Sequence, residues 1–407
     1  MPAVRSLAVL ALAMALTGCS SMSWLPWVGD DDDEKEELEP VKLSRFDETV
    51  KLDRVWSASI GRGLGRKYLR IRPAVAADRV FAADGYGHVE ARDRFTGKRV
   101  WEVDIGDVGR SFNFFDRRDP SFVTGAVGFA HGKVLIGTTA GEVVALSAVD
   151  GTEEWRVSIG AEVLAPPVGG EDLVFAQTEG GRLVALERDT GAVRWSFENP
   201  VPVLTLRGTS APVFGGGIVY AGFANGMVAA IRAATGEPVW EHRVMLPEGR
   251  SELERMVDVD STPVLAGNLL FVVSYQGRLK ALRAADGNQV WEQELSSFLD
   301  LAAGFRQVHA VDSDDSVRAF DQQSAEQLWA QDGLLRRQLS SPAVMGEYLL
   351  VADFEGYLHV LSQSDGSFVG RRKIDGDGVR SPIVVADDFI YVLGNSGSLQ
   401  ALQIEGR

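Results

Sequence analysis

Cysteine is almost missing: the 407-residue chain has one, Cys19. A single thiol excludes an intrachain disulfide, a cysteine-based zinc site and a Cys-x-x-Cys redox pair. Histidine is scarce too. His88, His131, His242, His309 and His359 are widely spaced, and none falls in a His-x-x-x-His ligand pattern. Positive charge is in deficit: 41 Lys and Arg against 57 Asp and Glu leave a formal net charge of -16, without the basic stripe that nucleic acid requires. No nucleic-acid partner is expected. A Gly-x-Ser-x-Gly elbow is absent, and Gly61-Arg-Gly63-Leu-Gly65 opens no predicted helix that would cradle a phosphate. Asp312-Ser-Asp314-Asp315 lacks the loop length and closing Glu of an EF-hand and reads as a turn. Catalytic residues, metal ligands and a cofactor site are therefore assigned nowhere.

What is present is a repeat. Gly-x-apolar-x-Ala-apolar, a polar turn ending in Asp or Thr and then Gly, and a Trp fourteen residues after the first Gly pair Gly87 with Trp101, Gly141 with Trp155, Gly181 with Trp195, Gly226 with Trp240 and Gly277 with Trp291. Weaker copies run from Asp315 to Trp329 and from Gly356 to Gly370. In each, alternating apolar residues predict two strands, and a turn such as Asp189-Thr190-Gly191 supplies the glycine that a hairpin needs at positive φ. A further apolar strand precedes every cassette, and a Pro-led one opens several repeats, as at Pro73, Pro212, Pro263, Pro342 and Pro382. Proline donates nothing to a ladder, which suits a strand start beside a central channel.

Four antiparallel strands at a period of roughly 40 to 50 residues describe a β-propeller blade. The last cassette begins at Gly397, too near the end of the chain to include its closing strand. Arg54-Val-Trp56 repeats the pattern of Arg99-Val-Trp101 with no cassette before it. The expected fold is therefore all-β: an eight-bladed propeller over residues 41–407, closed by an N-terminal strand that joins the C-terminal blade.

Residues 1–18 read as a secretory signal: Arg5, an apolar run from Leu7 to Leu16 too short to span a membrane, then small residues. Leu16-Thr17-Gly18-Cys19 resembles the bacterial lipobox, which implies an acylated Cys19 as mature N-terminus; Ser20 after it is similar to the pattern of export to the outer membrane. One acyl chain anchors marginally, so stable attachment implies the multiply acylated cysteine of bacterial lipoproteins. Residues 19–40 then form a tether, with Trp24 and Trp27 near the lipid and an acidic run from Asp30 to Glu37 that stays extended.

The cassette resembles the tryptophan-docking repeat of the pyrroloquinoline quinone propellers, over most of residues 54–407. Two branches of that family compete. The quinoprotein alcohol dehydrogenases imply a calcium-bound quinone; they resemble one another in a vicinal disulfide that a chain with only Cys19 cannot make, and they are much longer. The BamB-type lipoproteins are similar in lipobox, tether and bare ring. That resemblance implies a non-catalytic, cofactor-free scaffold of the β-barrel assembly (BAM) complex, lipid-anchored to the outer membrane of a Gram-negative bacterium and facing the periplasm. The implied partner is the BamA-type barrel-forming subunit. Unfolded outer-membrane proteins are a secondary one, through strand addition at blade edges.

Function should lie where the period is interrupted. The longest outer-to-inner connections are 107–120, 196–210 and 241–261, the last two flanking one blade. Val203-Leu204-Thr-Leu206-Arg207-Gly208 and Met256-Val-Asp258-Val-Asp260 resemble the two BamB-family segments that contact the barrel subunit. The resemblance makes Leu204 and Leu206 apolar anchors, Arg207 a fork-like donor, and Asp258 and Asp260 matching carboxylates. The residues alone also allow an internal pair between Arg207 and Asp258 or Asp260. Phe112, Phe114 and Phe115 either widen that face or fold over the channel.

Overall fold

The computed structural model describes residues 39–65, 68–106, 122–208 and 210–405. Cys19, the acidic run and the Phe112, Phe114 and Phe115 group lie outside these. Within the compact unit Val41–Arg407, eight four-stranded antiparallel sheets follow one another in the chain. This is the expected eight-bladed propeller.

Burial explains the strand pattern. The second strand of the third blade, Leu173–Gln177, is buried throughout, because neighbouring blades cover both of its faces. The outermost strand of that blade, Val193–Glu198, buries only its Trp fully. A register shift between Ala185 and Leu186, which pair with Trp195 and Val193, marks a bulge there. The prolines sit where expected: Pro73, Pro212, Pro263 and Pro342 directly precede the innermost strands Ala74–Ala76, Val213–Gly215, Val264–Ala266 and Ala343–Met345.

Each of the seven blade tryptophans docks on the next blade. The indole N–H groups of Trp56, Trp101, Trp155, Trp195, Trp240, Trp291 and Trp329 donate to the carbonyls of Arg94, Ala148, Arg188, Ala233, Ala284, Gln322 and Gln363 at 2.8–3.0 Å. Those carbonyls open the outer hairpin turn of the following blade. Its turn glycine lies under the indole, so that a Cβ on Gly191 would sit 2.6 Å from a ring carbon of Trp155. Gly97, Gly151, Gly236, Gly287 and Gly366 stand in the same relation to their tryptophans. In the sixth blade Ala325 occupies the turn instead, at φ 65°.

The N-terminal strand Leu52–Ser59 closes the ring on Ser398–Ile404, with Leu52 opposite Ile404 and Ser59 opposite Ser398. Arg94 of the first blade holds the last blade beside it: its guanidinium donates to the Ala386 carbonyl at 2.9 Å and to Asp387 at 2.8 Å.

The blades give the ring two faces. One carries the connections from each outermost strand to the next blade, together with the turns between second and third strands; we call it the connector face. The other carries the remaining hairpin turns.

Candidate functional site

The connector face holds a cavity of about 480 Å³, lined by residues that include Tyr68, Leu164, Leu206, Asp260 and Phe298. Its walls come from successive connections between blades. Two of those connections, residues 199–212 and 244–263, contain the five residues singled out above.

Asp258 joins the two. Its Oδ1 accepts the backbone N–H of Leu206 at 3.2 Å, and its own carbonyl accepts from Tyr275. The side chain is fully buried and Oδ2 has no hydrogen-bond partner among the described residues. Burial pushes the carboxyl up to about 6, against the opposing pull of the Leu206 N–H. Asp260 is 8% exposed and is pushed up to about 8, first by burial and then by the charge of Asp258, while Arg70 pulls it down and Asp300 adds to the rise. Gly208 passes directly over it. A Cβ there would lie 2.2 Å from Asp260 Oδ2, so the close approach of the two loops requires glycine.

Arg207 is paired elsewhere. Its guanidinium donates to Glu162 Oε1 at 2.7 Å, a residue of the connection that precedes the third blade, and not to Asp258 or Asp260. The internal pairing that the sequence allowed is replaced by one to a different loop. Nor do the carboxylates of Asp258 and Asp260 face outward to meet a partner. Asp258 is buried in the loop base beneath the Leu206 N–H, and Asp260 lines the cavity under Gly208 with 8% exposure.

Outward exposure belongs to apolar groups. Val203 is 94% exposed and Leu204 is 41% exposed, while Leu206 is half-buried against the cavity. On the neighbouring connection Leu246 and Leu253 are exposed as well. Glu254 shapes that segment by accepting the N–H groups of Arg250 and Ser251. From the sequence, Val203 was placed in the segment but given no role, and Leu246, Leu253 and Glu162 were not singled out. For the apolar three the signal was available, since they sit in the same long interruptions of the repeat.

The rest of the cavity wall is knitted to itself. Arg70 donates to the Phe298 carbonyl at 3.2 Å, with its guanidinium 5.1 Å from the Phe298 ring centroid, and Asp300 accepts the N–H of Thr262 at 2.7 Å. Among the described residues no three His, Cys, Asp or Glu side chains converge as metal ligands. Asp312 caps its own turn, as its sequence pattern led us to expect, by accepting from the N–H groups of Asp314 and Ser316.

Three comparisons bear on this arrangement. A family model described as outer membrane protein assembly factor BamB matches residues 87–331 and 313–406. The chain is 43% identical over 397 residues to the BamB protein of Pseudomonas aeruginosa, covering 98% of each. Among solved structures it is similar to BamB from Moraxella catarrhalis, with a TM-score of 0.77 at 27% identity, over 87% of this chain and 100% of that one. A quinohemoprotein alcohol dehydrogenase from Pseudomonas putida shares the fold alone, at 13% identity and a TM-score of 0.68, over 88% of this chain and 76% of that one.

Proposed function

The chain belongs to the family of the outer membrane protein assembly factor BamB, and from that premise we propose that it is a non-catalytic scaffold lipoprotein of the BAM complex. It is anchored through acylated Cys19, faces the periplasm, and binds the BamA-type barrel-forming subunit with its connector face. The observation that supports this docking surface is an apolar tip, Val203 and Leu204, beside the partly exposed guanidinium of Arg207. Leu206 and the buried Asp258 hold the tip in place.

Such a surface combines an apolar anchor with an arginine fork, the pairing that dominates many interfaces. Asp258 and Asp260 act through the loop: the first fixes Leu206, and the second packs beneath Gly208. Unfolded outer-membrane proteins are the second class of partner, adding strands at the outer blade edges.

The test is co-purification of the lipidated full-length chain with the BamA-type subunit, using wild type beside Leu204→Asp and Arg207→Ala. Each change should weaken binding about thirtyfold if it removes a hot-spot contact of roughly 2 kcal/mol. Wild-type binding by both variants would remove these residues from the interface and leave family membership untouched. Quinone-dependent dye reduction by the purified chain would overturn the non-catalytic reading.

A further inference from the structure

The cavity of the connector face has a wall of mixed character. Tyr68, Leu164, Leu206 and Phe298 give it apolar surface, which three arginines and two aspartates interrupt: Arg70, Arg72, Arg207, Asp260 and Asp300. Three of these five are occupied within the wall. Arg70 donates to the Phe298 carbonyl, Arg207 donates to Glu162, and Asp300 accepts the Thr262 N–H. Arg72 and Asp260 remain, and among the described residues neither side chain has a hydrogen bond or an ion pair. Asp260 is only 8% exposed, and a carboxyl so buried is costly to leave without a partner.

The charge of the wall runs against that of the chain. The sequence carries a net charge of -16, yet the wall holds one positive charge in excess. Arg70 and Arg72 face Asp300 alone, because Glu162 matches Arg207, and Asp260, pushed up to about 8, keeps its proton at neutral pH. Just outside the lining, Asp258, whose field reaches Asp260, is offset by Arg380, which stands 5.1 Å from the Tyr68 ring centroid. A single anion balances such a site, whereas a polyanion brings charge that nothing compensates. A guanidinium and a protonated carboxyl are both donors, and on an apolar wall they complement a carboxylate with an apolar body. The cavity's volume of about 480 Å³ lies within the roughly 300–1,000 Å³ of small-molecule sites.

We propose that this cavity binds a small monocarboxylate with an apolar body: the Arg72 guanidinium takes the carboxylate, the Asp260 carboxyl donates beside it, and Tyr68, Leu164, Leu206 and Phe298 cover the rest. The site goes beyond the docking surface and does not depend on it. Leu206 lines the cavity, whereas the docking tip, Val203 and Leu204, is exposed outside it.

Ligand-detected NMR titration tests this on the full-length chain in lipid nanodiscs, with empty nanodiscs subtracted and no partner present. The probes are 2-naphthoate, its uncharged counterpart 2-naphthamide, and acetyl-Ala-Ala-Leu with a free C-terminus. One 2-naphthoate should bind per chain with a Kd of about 1 mM or tighter, the affinity ordinary for a ligand of that size. It should bind about tenfold or more tightly than 2-naphthamide, the effect of one charge-assisted hydrogen bond. Arg72→Gln should abolish that preference and leave 2-naphthamide binding as in wild type, while Leu164→Trp, which fills the cavity, should weaken both. Equal binding of acid and amide by the wild-type chain overturns the proposal whether or not the variants fold, and so does 2-naphthoate binding that does not saturate. Wild-type preference in Arg72→Gln overturns it too. Tighter binding of the tripeptide than of 2-naphthoate puts a chain end in the cavity and overturns the small-molecule assignment. Co-purification of the BamA-type subunit reads the docking surface separately, so failure of either reading leaves the other standing.

Discussion

The joint between blades can be tested at two turns that differ by one methyl group. In Gly191→Ala the new Cβ meets the Trp155 ring at 2.6 Å with the backbone at φ 69°. A left-handed L-residue costs about 1–2 kcal/mol and overpacking about 1–3, so the ring should lose roughly 2–5 kcal/mol. With an unfolding entropy near 2.1 cal/mol/K per residue, a ring of this length moves its Tm by about 1.3 °C per kcal/mol, or roughly 3–6 °C here. Ala325→Gly makes the reverse change in the sixth blade, where the native alanine already holds φ 65°. Relief of about 1–2 kcal/mol is offset by about 0.4–1 from the freer unfolded chain and about 0.8 from the lost methyl, leaving a shift within about 1 °C. Thermal unfolding followed by tryptophan fluorescence and circular dichroism reads both. If Gly191→Ala is as neutral as Ala325→Gly, the indole does not press on the turn and the account of the repeat is wrong.

The raised carboxyls of Asp258 and Asp260 keep protons in the folded state that the unfolded chain loses near pH 4, so their contribution to stability falls as pH rises through about 6 and about 8. Buried His309 works the other way. Lowered to about 4 by burial, it costs stability as pH falls below about 6.5. Asp260→Asn should therefore raise Tm relative to wild type at pH 9 and leave it near wild type at pH 5; a constant difference across that range would refute the titration. Gly208→Ala should displace the tip over Asp260 and weaken partner capture about tenfold while Tm drops by only a few degrees, since the strain falls in a connection and not in a blade. Arg94→Ala removes the hydrogen bonds between the first and last blades and should cost about 1–3 kcal/mol, a Tm loss of about 1–4 °C in thermal unfolding.

The sequence made the ring legible because a contact between blades is written locally: the Trp and the turn Gly it needs stand at fixed offsets within one cassette. Closure was readable for the same reason, as a Trp-bearing strand without its cassette. The site was legible only in outline. Loop length pointed to the right connections, but Arg207 finds Glu162, which lies 45 residues upstream in another blade's connection, and no local spacing encodes that pair. Burial of Asp258 was equally hidden. Aspartate is ordinarily exposed, and what holds this one inside is a backbone N–H from the neighbouring loop.

The two weak copies of the cassette carry the remaining lesson. Asp315 replaces the leading glycine, keeps its positive φ at 67°, and spends its carboxylate on the N–H groups of Gln338 and Leu339. That supports the very connection from which Leu335 and Arg337 grip Val41. Gly370 replaces the docking Trp of the seventh blade, and a Cβ there would meet the Val50 carbonyl at 2.6 Å. Each departs from the period beside residues 41–50: Asp315 braces the loop that holds Val41, and Gly370 leaves room for Val50. A break in a structural repeat is thus a place to look for what the repeat has been fitted to, and here both breaks lead to the segment that joins the ring to its tether.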